Sequence, residues 1–255
     1  MKNAYLIIRS LFCWAIAGPL FFLSVGFLIL LALVIGPHRT DPLVRFFSRL
    51  LMLGSGASYR VHRAAEYDRS RTYIIVSNHV NIFDPFVIYG ATSKFSCGME
   101  LESHFKIPMY GWFMKVYGNV PVAVDKNTAN VRKVFRLTKE TLERGTNLMV
   151  LPEGTRTRTG RVGEFNDGIF VMAQKFKQPI LPVSIVGSFQ LKRKGDWMLR
   201  PASIVVHVHE PIEMDNVKRE DIPAIREKVY EIVSGPVHAD LIAHPVDPPP
   251  DPEFL

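Results

Sequence analysis

The stretch Tyr73–Phe86 reads YIIVSNHVNIFDPF and joins an apolar run to a turn that carries a histidine and an aspartate. The YIIV run is typical of a short buried strand. His79 and Asp84 follow it, and an imidazole beside a carboxylate is the smallest unit of general-base chemistry near neutral pH. A second interpretation is structural, with Asn78 or Asn81 capping a helix that begins where the strand ends. The spacing alone leaves both interpretations open.

Strand-like and helical runs alternate along the chain around this stretch. The further strand-like runs are FVIYG, VPVAV, NLMVL, ILPVSIV and SIVVHV, and a helix is predicted from about Thr128 to Arg144, ended by Gly145. The alternation predicts an α/β fold with a mixed, largely parallel sheet flanked by helices. Functional residues of such sheets gather in the loops that follow the strands. The predicted helix is expected to bury Val131, Val134, Phe135, Thr138 and Leu142.

The composition narrows the classes of protein and partner. A chain of 255 residues with 47% apolar residues can build a sizeable core, and its formal charge of +7 favours phosphates, anionic lipid or nucleic acid as partners. Nucleic acid is disfavoured because the arginines are dispersed and no known nucleic-acid-binding motif occurs. Cys13 and Cys97 lie far apart, so we expect no disulfide framework and a reducing compartment. His207 and His209 share one strand face without a Cys/His cluster, so no metal is expected.

The first fifty residues predict a membrane attachment. Leu11–Ile35 contains no charged residue and is long enough to cross a bilayer as one helix. Gly18 and Pro19 interrupt it, so two shorter helices in one leaflet are an open alternative. The next run, DPLVRFFSRLLML, predicts an amphipathic helix that lies either at the membrane interface or on the globular domain. Its apolar face is Leu43, Phe46, Phe47, Leu50 and Leu51, with Arg45 and Arg49 elsewhere.

Three regions follow from these patterns. Residues 1–54 are predicted to be the membrane anchor and amphipathic helix, residues 55–235 the globular domain, and residues 236–255 a proline-rich extension that is neither helix nor central strand. The excess of arginine after the apolar run favours a cytoplasmic location for the domain. The expected localisation is therefore the inner (cytoplasmic) membrane, with the domain on its cytoplasmic face.

Two further loops carry unusual chemistry. Asp125-Lys126-Asn127 follows the VPVAV run, and PEGTRTRTGRVGEF, residues 152–165, follows NLMVL. Glycines in the second loop allow close approach of a ligand to the backbone, and its interleaved arginines suit a phosphate. We interpret this loop as an anion site. The basic loop Lys192–Arg200, KRKGDWMLR, is interpreted as a solvated hairpin, with contact to lipid headgroups or to the phosphates of coenzyme A as the alternative.

In their joint order these motifs resemble the glycerolipid acyltransferase family, in particular the bacterial 1-acyl-glycerol-3-phosphate acyltransferases. The resemblance covers residues 73–188. Four motifs carry it: Asn78-His79 with Asp84, GNVPVAVDK at Gly118–Lys126, LPEGTRTRTG at Leu151–Gly160, and ILPVSIVGS at Ile180–Ser188.

The resemblance implies an enzyme that moves a fatty acyl group from an acyl thioester to the sn-2 hydroxyl of 1-acyl-glycerol-3-phosphate, giving phosphatidic acid. His79 is then the general base and Asp84 orients its imidazole, while the acceptor hydroxyl itself is the nucleophile. The implied partners are membrane lipids, the lysophospholipid acceptor and, as donor, acyl-CoA or acyl carrier protein, and no cofactor is expected. The implied substrate-binding residues are Asn78, Lys126, Glu153, Gly154, Thr155, Arg156 and Pro182.

Four positions depart from the family pattern. Asn81 stands where serine is common, and Lys126 replaces an arginine, keeping the charge without the bidentate fork. Glu102 and Asn166 stand where lysine is frequent, which lowers the positive potential expected around a lysophosphatidate. An acyltransferase acting on a zwitterionic or amine-bearing lyso-lipid, such as a lyso-ornithine lipid or a lysophospholipid, is therefore the alternative to one acting on 1-acyl-glycerol-3-phosphate.

A different class of function is a non-catalytic lipid-binding or membrane-tethering protein on the same fold. The joint presence of His79, Asp84, Glu153 and Arg156 argues against it, because lipid binding requires no base. A serine esterase is disfavoured because no G-x-S-x-G motif occurs.

Overall fold

The computed structural model describes residues 2–125 and 127–246. In this part of the chain seven strands form one sheet, in the order β1-β7-β6-β2-β5-β3-β4. All neighbouring strands are parallel except β6 and β7, which are antiparallel. The strands are β1 (Ala57–Arg63), β2 (Ile74–Ser77), β3 (Ser96–Leu101), β4 (Val120–Val122), β5 (Asn147–Val150), β6 (Ile180–Val186) and β7 (Ala202–Val208).

Helices cover both faces of this sheet. They are α1 (Lys2–Ile35), α2 (Asp41–Gly54), α3 (Asp84–Ala91), α4 (Tyr110–Val116), α5 (Thr128–Glu143), α6 (Gly168–Phe176), α7 (Ser188–Leu191) and α8 (Ile222–Ala243). Short 3-10 helices lie at Pro37–Thr40, Glu102–Lys106 and Arg219–Asp221. The predicted fold class, a mixed and largely parallel sheet flanked by helices after an apolar N-terminal helix, is confirmed.

Side-chain alternation along the buried strands divides the core into two layers. Ile75 of β2 packs in the layer on the side of α1, α2 and α3. Its neighbours Ile74 and Val76 pack in the layer on the side of α5, α6 and α8. Within α5 the predicted burial of Val134, Thr138 and Leu142 is confirmed, whereas Phe135 is only partly buried. Val131 is 42% exposed, so its predicted burial is wrong.

Two strands and one helix differ from the sequence prediction. FVIYG belongs to helix α3 rather than to a strand, because Asp84 opens the helix and Pro85 occupies its first turn, where a missing backbone donor costs nothing. Strands β1 and β3 were not predicted. Their sequences, ASYRVHR and SCGMEL, contain charged, small and glycine residues and lack a strong apolar pattern.

Helix α1 continues through Pro19 as one element, so the alternative of two shorter helices is wrong. It contacts α2 and α4, and Cys13, Ala17, Leu28 and Ala32 of α1 are buried in the core. The opposite face is apolar and open, and it includes Ile8, Phe12, Leu23, Leu30 and Leu33. By length and composition, Ala4–Ile35 is able to cross a membrane.

Helix α2 packs on the domain through a face that partly coincides with the predicted one, because Leu51 is buried and Leu43 and Phe47 are partly buried against the core. Val44, Ser48, Leu51 and Met52 are its buried residues, while Phe46 is 57% exposed. Arg45 and Arg49 donate to the carbonyl groups of Tyr89 and Gly90 near the end of α3. These arginines therefore cap the end of α3. Helix α2 packs on the globular domain and does not lie only at a membrane interface.

Helix α8 crosses the boundary predicted at residue 236 and contains Pro236. A proline inside a helix frees the carbonyl four residues before it. Here Ser184 Oγ approaches the carbonyl of Ile232 at 3.4 Å and that of Val233 at 2.9 Å. The prediction that the chain is not helical after residue 235 is wrong up to Ala243, and residues 247–255 of the predicted extension lie outside the described part.

Candidate active site

Two loops that follow neighbouring strands form the centre of the site. Val76 of β2 pairs with Val150 of β5, so both strands deliver their following loops to the same edge of the sheet. The backbone N–H of His79 donates to Glu153 Oε1 at 2.6 Å, and the N–H of Thr157 donates to the His79 carbonyl at 2.9 Å. The two loops selected from the sequence are therefore joined directly.

His79 and Asp84 form a hydrogen-bonded pair at the start of α3. The Nδ1 atom of His79 lies 2.8 Å from Asp84 Oδ2, and the Asp84 side chain is fully buried. The same oxygen accepts the backbone N–H groups of Val80 and Asn81 at 2.6 and 2.9 Å, and Ser188 Oγ donates to Oδ1 at 3.3 Å. A carboxylate held by so many donors keeps the proton of the neutral imidazole on Nδ1, leaving Nε2 as an acceptor. This geometry suits a general base.

The helix-cap interpretation of the asparagines is only partly realised. Asn81 Oδ1 accepts the backbone N–H of Phe83 at 2.8 Å, which makes a local turn before α3. The residue at the N-cap position of α3 is Phe83, which makes no side-chain cap hydrogen bond. The amide group of Asn81 donates to Ser188 and to the carbonyl of Lys192, so this residue ties the turn to the loop after β6.

A cavity of about 510 Å³ opens beside His79. Helix α1 supplies one of its walls through Trp14, Ala17, Gly18, Phe21 and Phe22, and Arg156 lies on another wall. A narrower cavity of about 70 Å³ shares Phe21, Phe86 and Tyr110 with the first and continues towards Met149. The lining is mostly apolar, with a few polar groups near His79, as in sites for lipid-like ligands. The sequence did not indicate that α1 forms part of the site.

Glu153 clamps the two central loops together. Its Oε1 accepts from His79 N and its Oε2 accepts from Gly163 N at 2.8 Å. Burial raises the pKa of this carboxyl to about 7, against the lowering effect of the two backbone hydrogen bonds. Glu153 is not among the residues lining the cavity beside His79. Its contacts are those of a residue that positions the loops.

The raised pKa of Glu153 predicts a pH-dependent contribution to stability. The pKa of Glu153 is about 7 in the folded chain, above the ordinary value of 4.5. Protonation of Glu153 therefore stabilises the folded chain to its full extent below pH 4.5, and this stabilisation is lost as the pH rises through 7. We expect the stability of the wild type relative to Glu153→Gln to fall by roughly 2–3 kcal/mol between pH 5 and pH 8.5. Denaturant unfolding in detergent micelles at both pH values measures the difference.

The control for this experiment is Glu164→Gln, which alters an exposed glutamate of the same loop. It should leave the pH dependence of unfolding as in the wild type. The same stability difference between wild type and Glu153→Gln at both pH values would contradict the role assigned to the buried carboxyl.

Two residues predicted to bind substrate lie away from the cavity. Asn78 is buried, donating to the carbonyl of Ile185 at 3.0 Å and accepting from the Ile185 N–H at 2.8 Å. Pro182 is buried in β6 beside Val76 of β2. Neither lines the cavity beside His79, so the structure places Asn78 as a link between the His79 turn and β6 and Pro182 inside the sheet.

The loop after β5 places its predicted residues differently. Gly154 has φ +70, a left-handed conformation that suits glycine in this turn. Arg156 lines the cavity, whereas Thr155 is exposed and accepts a hydrogen bond from Lys194 Nζ at 2.8 Å. Lys126 lies outside the described residues.

Neither residue that suggested an altered acceptor lines the cavity. Glu102 is exposed and pairs with Lys133 at 3.4 Å. Asn166 donates to the carbonyl of Pro152 at 2.7 Å and supports the turn that contains Gly154. These two side chains therefore do not lower the positive potential inside the cavity through direct contact with it.

The acidic residue that does line the cavity is Glu100. Its Oε2 lies 2.9 Å from His104 Nδ1, and its Oε1 accepts from the Tyr110 hydroxyl at 3.2 Å. Burial, and then the charge of Glu100, raises the pKa of Tyr110, so its hydroxyl remains a donor. The spacing of four residues between Glu100 and His104 was visible in the sequence, but nothing there placed the pair in the site.

The sequence is similar to those of known proteins. The family model described as Acyltransferase matches residues 58–186. Similar proteins named 1-acyl-sn-glycerol-3-phosphate acyltransferase occur in Cocos nucifera, 24% identical over 66% of this chain and 54% of the relative, and in Pseudomonas aeruginosa, 26% identical over 64% and 62%. A chloroplastic relative of that name from Brassica napus is 30% identical over 54% of this chain and 40% of its own length. The chain thus spans about half the length of several curated relatives it matches.

One solved structure shows the same fold over nearly the whole chain. It is the 1-acyl-sn-glycerophosphate (LPA) acyltransferase PlsC from Thermotoga maritima, with a TM-score of 0.80 and 24% identity, and the match covers 94% of this chain and 97% of that one. The family model matches just over half of the chain and includes both central loops of the site. The chain therefore belongs to the Acyltransferase family.

Proposed function

We propose that this protein is a membrane-bound O-acyltransferase that transfers a fatty acyl group from an acyl thioester to the sn-2 hydroxyl of 1-acyl-glycerol-3-phosphate, giving phosphatidic acid. The observation that carries the proposal is the His79–Asp84 pair, with its buried carboxylate, at the edge of an apolar cavity that also holds Arg156. The names of the similar proteins support the same activity.

The proposed reaction needs a base and no nucleophilic side chain. Nε2 of His79 takes the proton of the acceptor hydroxyl as its oxygen attacks the thioester carbonyl. The carbon–oxygen bond of the new ester forms, the carbon–sulfur bond breaks, and the thiolate that leaves receives the proton from His79. Asp84 stabilises the imidazolium between these two steps, because its carboxylate lies 2.8 Å from Nδ1.

The lining of the cavity suits apolar chains and one phosphate. Its aromatic and aliphatic walls, with the narrow extension between Phe86 and Met149, suit acyl chains. Arg156 lines the same cavity as His79, and its guanidinium group can bind a phosphate with directed hydrogen bonds. The donor, acyl-CoA or acyl carrier protein, is then the soluble substrate.

We further propose that α1 attaches the protein to one leaflet of the inner membrane, with the domain on the cytoplasmic face. Contacts between α1 and the domain run from Cys13 to Ala32, about 29 Å along the helix axis, while the opposite face is apolar. A helix held along the domain in this way leaves little of its length to cross the bilayer. A peptide tag at the N-terminus should be removed by protease added outside sealed vesicles carrying the bound protein, whereas protection of the tag would mean that α1 spans the bilayer.

Glu100 supports a second acceptor class, a zwitterionic lyso-lipid with a primary ammonium group. A carboxylate in an apolar cavity repels a phosphate dianion and attracts an ammonium group. Purified protein should be given acyl-CoA or acyl carrier protein with 1-acyl-glycerol-3-phosphate, lysophosphatidylethanolamine or lysophosphatidylcholine, while thiol release and lipid product are followed. We expect transfer to the first acceptor to dominate in the wild type.

The substitution Glu100→Gln keeps the shape of the side chain and removes its charge. Its kcat/KM ratio between 1-acyl-glycerol-3-phosphate and lysophosphatidylethanolamine should rise by about tenfold, the scale of one lost charge-assisted contact. Glu102→Gln is the matched control, because Glu102 is exposed and outside the cavity. Equal effects of Glu100→Gln on both acceptors would remove the selectivity role, and vesicle binding without turnover on any acceptor would favour a membrane-tethering protein.

A further inference from the structure

The basic loop between α7 and β7, residues 192–201, is packed rather than solvated. Trp14 Nε1 of α1 donates to the carbonyl of Trp197 at 2.7 Å, and the N–H of Leu199 donates to Ser10 Oγ at 3.0 Å. Within the loop, Arg200 pairs with Asp196 at 2.6 Å. The interpretation of this segment as a solvated hairpin is wrong, because it bridges the anchor helix and the catalytic loops.

Lys194 reaches from this loop to the loop after β5 that contains Thr155 and Arg156. Its Nζ donates to Thr155 Oγ1 at 2.8 Å and to the carbonyl of Arg156 at 3.2 Å. The ammonium group has three donors, and these two contacts with neutral oxygens leave one for a ligand. Lys194 is thereby held beside Arg156, which lines the cavity next to His79.

Lys194 and Arg156 bring two positive charges close together. No aspartate or glutamate in the described part of the chain forms an ion pair with Lys194 or Arg156. Desolvation, followed by the positive charges of Arg158 and Arg156, lowers the pKa of Lys194. An anion placed among these groups would relieve that repulsion, and a phosphate oxygen is the chemistry that ammonium and guanidinium groups bind together.

We propose that Lys194 is a substrate-binding residue, which joins Arg156 in holding a substrate phosphate while Thr155 positions its ammonium group. The inference rests on the proposed acyl transfer and adds a residue outside the four motifs. The phosphate belongs either to the lyso-lipid acceptor or to the coenzyme A donor, and the experiment separates these sources.

The test compares Lys194→Met with Lys194→Arg in the full-length protein. If the acceptor supplies the phosphate, Lys194→Met should raise the KM for 1-acyl-glycerol-3-phosphate by about tenfold with kcat unchanged, and Lys194→Arg should restore most of the affinity. With 1-acylglycerol, which lacks the phosphate, wild type and Lys194→Met should behave alike. Lys139→Met, at a half-exposed surface ion pair on α5, is the matched control and should change neither KM.

A rise in the KM for acyl-CoA, but not for acyl-pantetheine, would assign Lys194 to the donor phosphates instead. Equal losses on 1-acyl-glycerol-3-phosphate and 1-acylglycerol, or no change in the KM of either substrate, would overturn the proposal. Should the wild type transfer no acyl group, the proposed activity fails, and ligand binding then tests Lys194. The concentration of 1-acyl-glycerol-3-phosphate that gives half-maximal quenching of Trp14 fluorescence should still be about tenfold higher in Lys194→Met than in the wild type. Equal concentrations in both proteins would refute the role.

Discussion

His79→Ala is expected to lower the kcat for acyl transfer by roughly 10²–10⁴-fold, the range that a positioned general base supplies. The substitution removes the Nε2 acceptor at the cavity edge, so the acceptor hydroxyl keeps its proton during attack. The imidazole has one hydrogen bond through Nδ1, and its removal leaves the remaining donors of Asp84 in place. Steady-state thiol release with saturating acyl-CoA and lyso-lipid measures the effect, and acceptor binding should change little.

The chain contains a matched control for this experiment. His244 and Asp240 form a second histidine–aspartate pair with a Nδ1 to Oδ1 distance of 2.9 Å, but the His244 side chain is 73% exposed and outside the cavity. His244→Ala should therefore retain wild-type turnover. Transfer that survives His79→Ala at more than a tenth of the wild-type rate would rule out the base mechanism.

Asp84→Asn is expected to lower kcat by about a hundredfold or more while leaving the protein folded. The amide oxygen of asparagine accepts the N–H groups of Val80 and Asn81 in place of Oδ2, so much of the turn is retained. The negative charge is lost, however, and the imidazolium that forms on His79 is no longer stabilised by a fully buried carboxylate 2.8 Å away. Turnover and thermal unfolding should be measured on the same preparation.

Two comparisons separate the catalytic effect of Asp84→Asn from a structural one. Asp167→Asn alters an exposed aspartate paired with Arg226 at 2.8 Å and should leave turnover unchanged. Asp84→Ala removes the acceptor of two backbone N–H groups and should unfold at lower temperature, because buried donors without partners cost about 1–3 kcal/mol each. A kcat for Asp84→Asn close to that of the wild type would show that His79 acts without the carboxylate.

The strongest sequence patterns predicted the centre of the sheet. The runs around β2, β5 and β6 are short, apolar and bounded by polar turns, and all three strands are completely buried. FVIYG has the same appearance but lies in helix α3, since a short apolar run carries no period of its own and Asp84-Pro85 starts a helix. Strand β3 was missed because its pairing with β4 and β5, rather than its residue types, holds it in the sheet.

The candidate site shows the same division. His79, Asp84 and the loop containing Arg156 were predicted because each lies in a short motif after a strand. Glu100 and Lys194 were not assigned to the cavity or its arginine. The position of Glu100 depends on the pairing of β3 with its neighbours in the sheet, and that of Lys194 on a loop that packs against α1. Glu102 illustrates the opposite error, since a difference of two residues along the chain separates a cavity-lining carboxylate from an exposed one.

Local chemistry in this chain was enough to indicate an α/β domain behind an apolar helix, with a histidine base, its aspartate and an arginine-rich loop. Those features are encoded by residues that are close together in the sequence, so they can be identified without knowledge of the tertiary structure. The placement of α1 as a wall of the cavity and the contact of Lys194 with Thr155 join segments that are 39 to more than 60 residues apart. Such contacts depend on how the helices pack on the sheet, because burial is not directional and a sequence pattern shows which face is apolar but not which partner it meets.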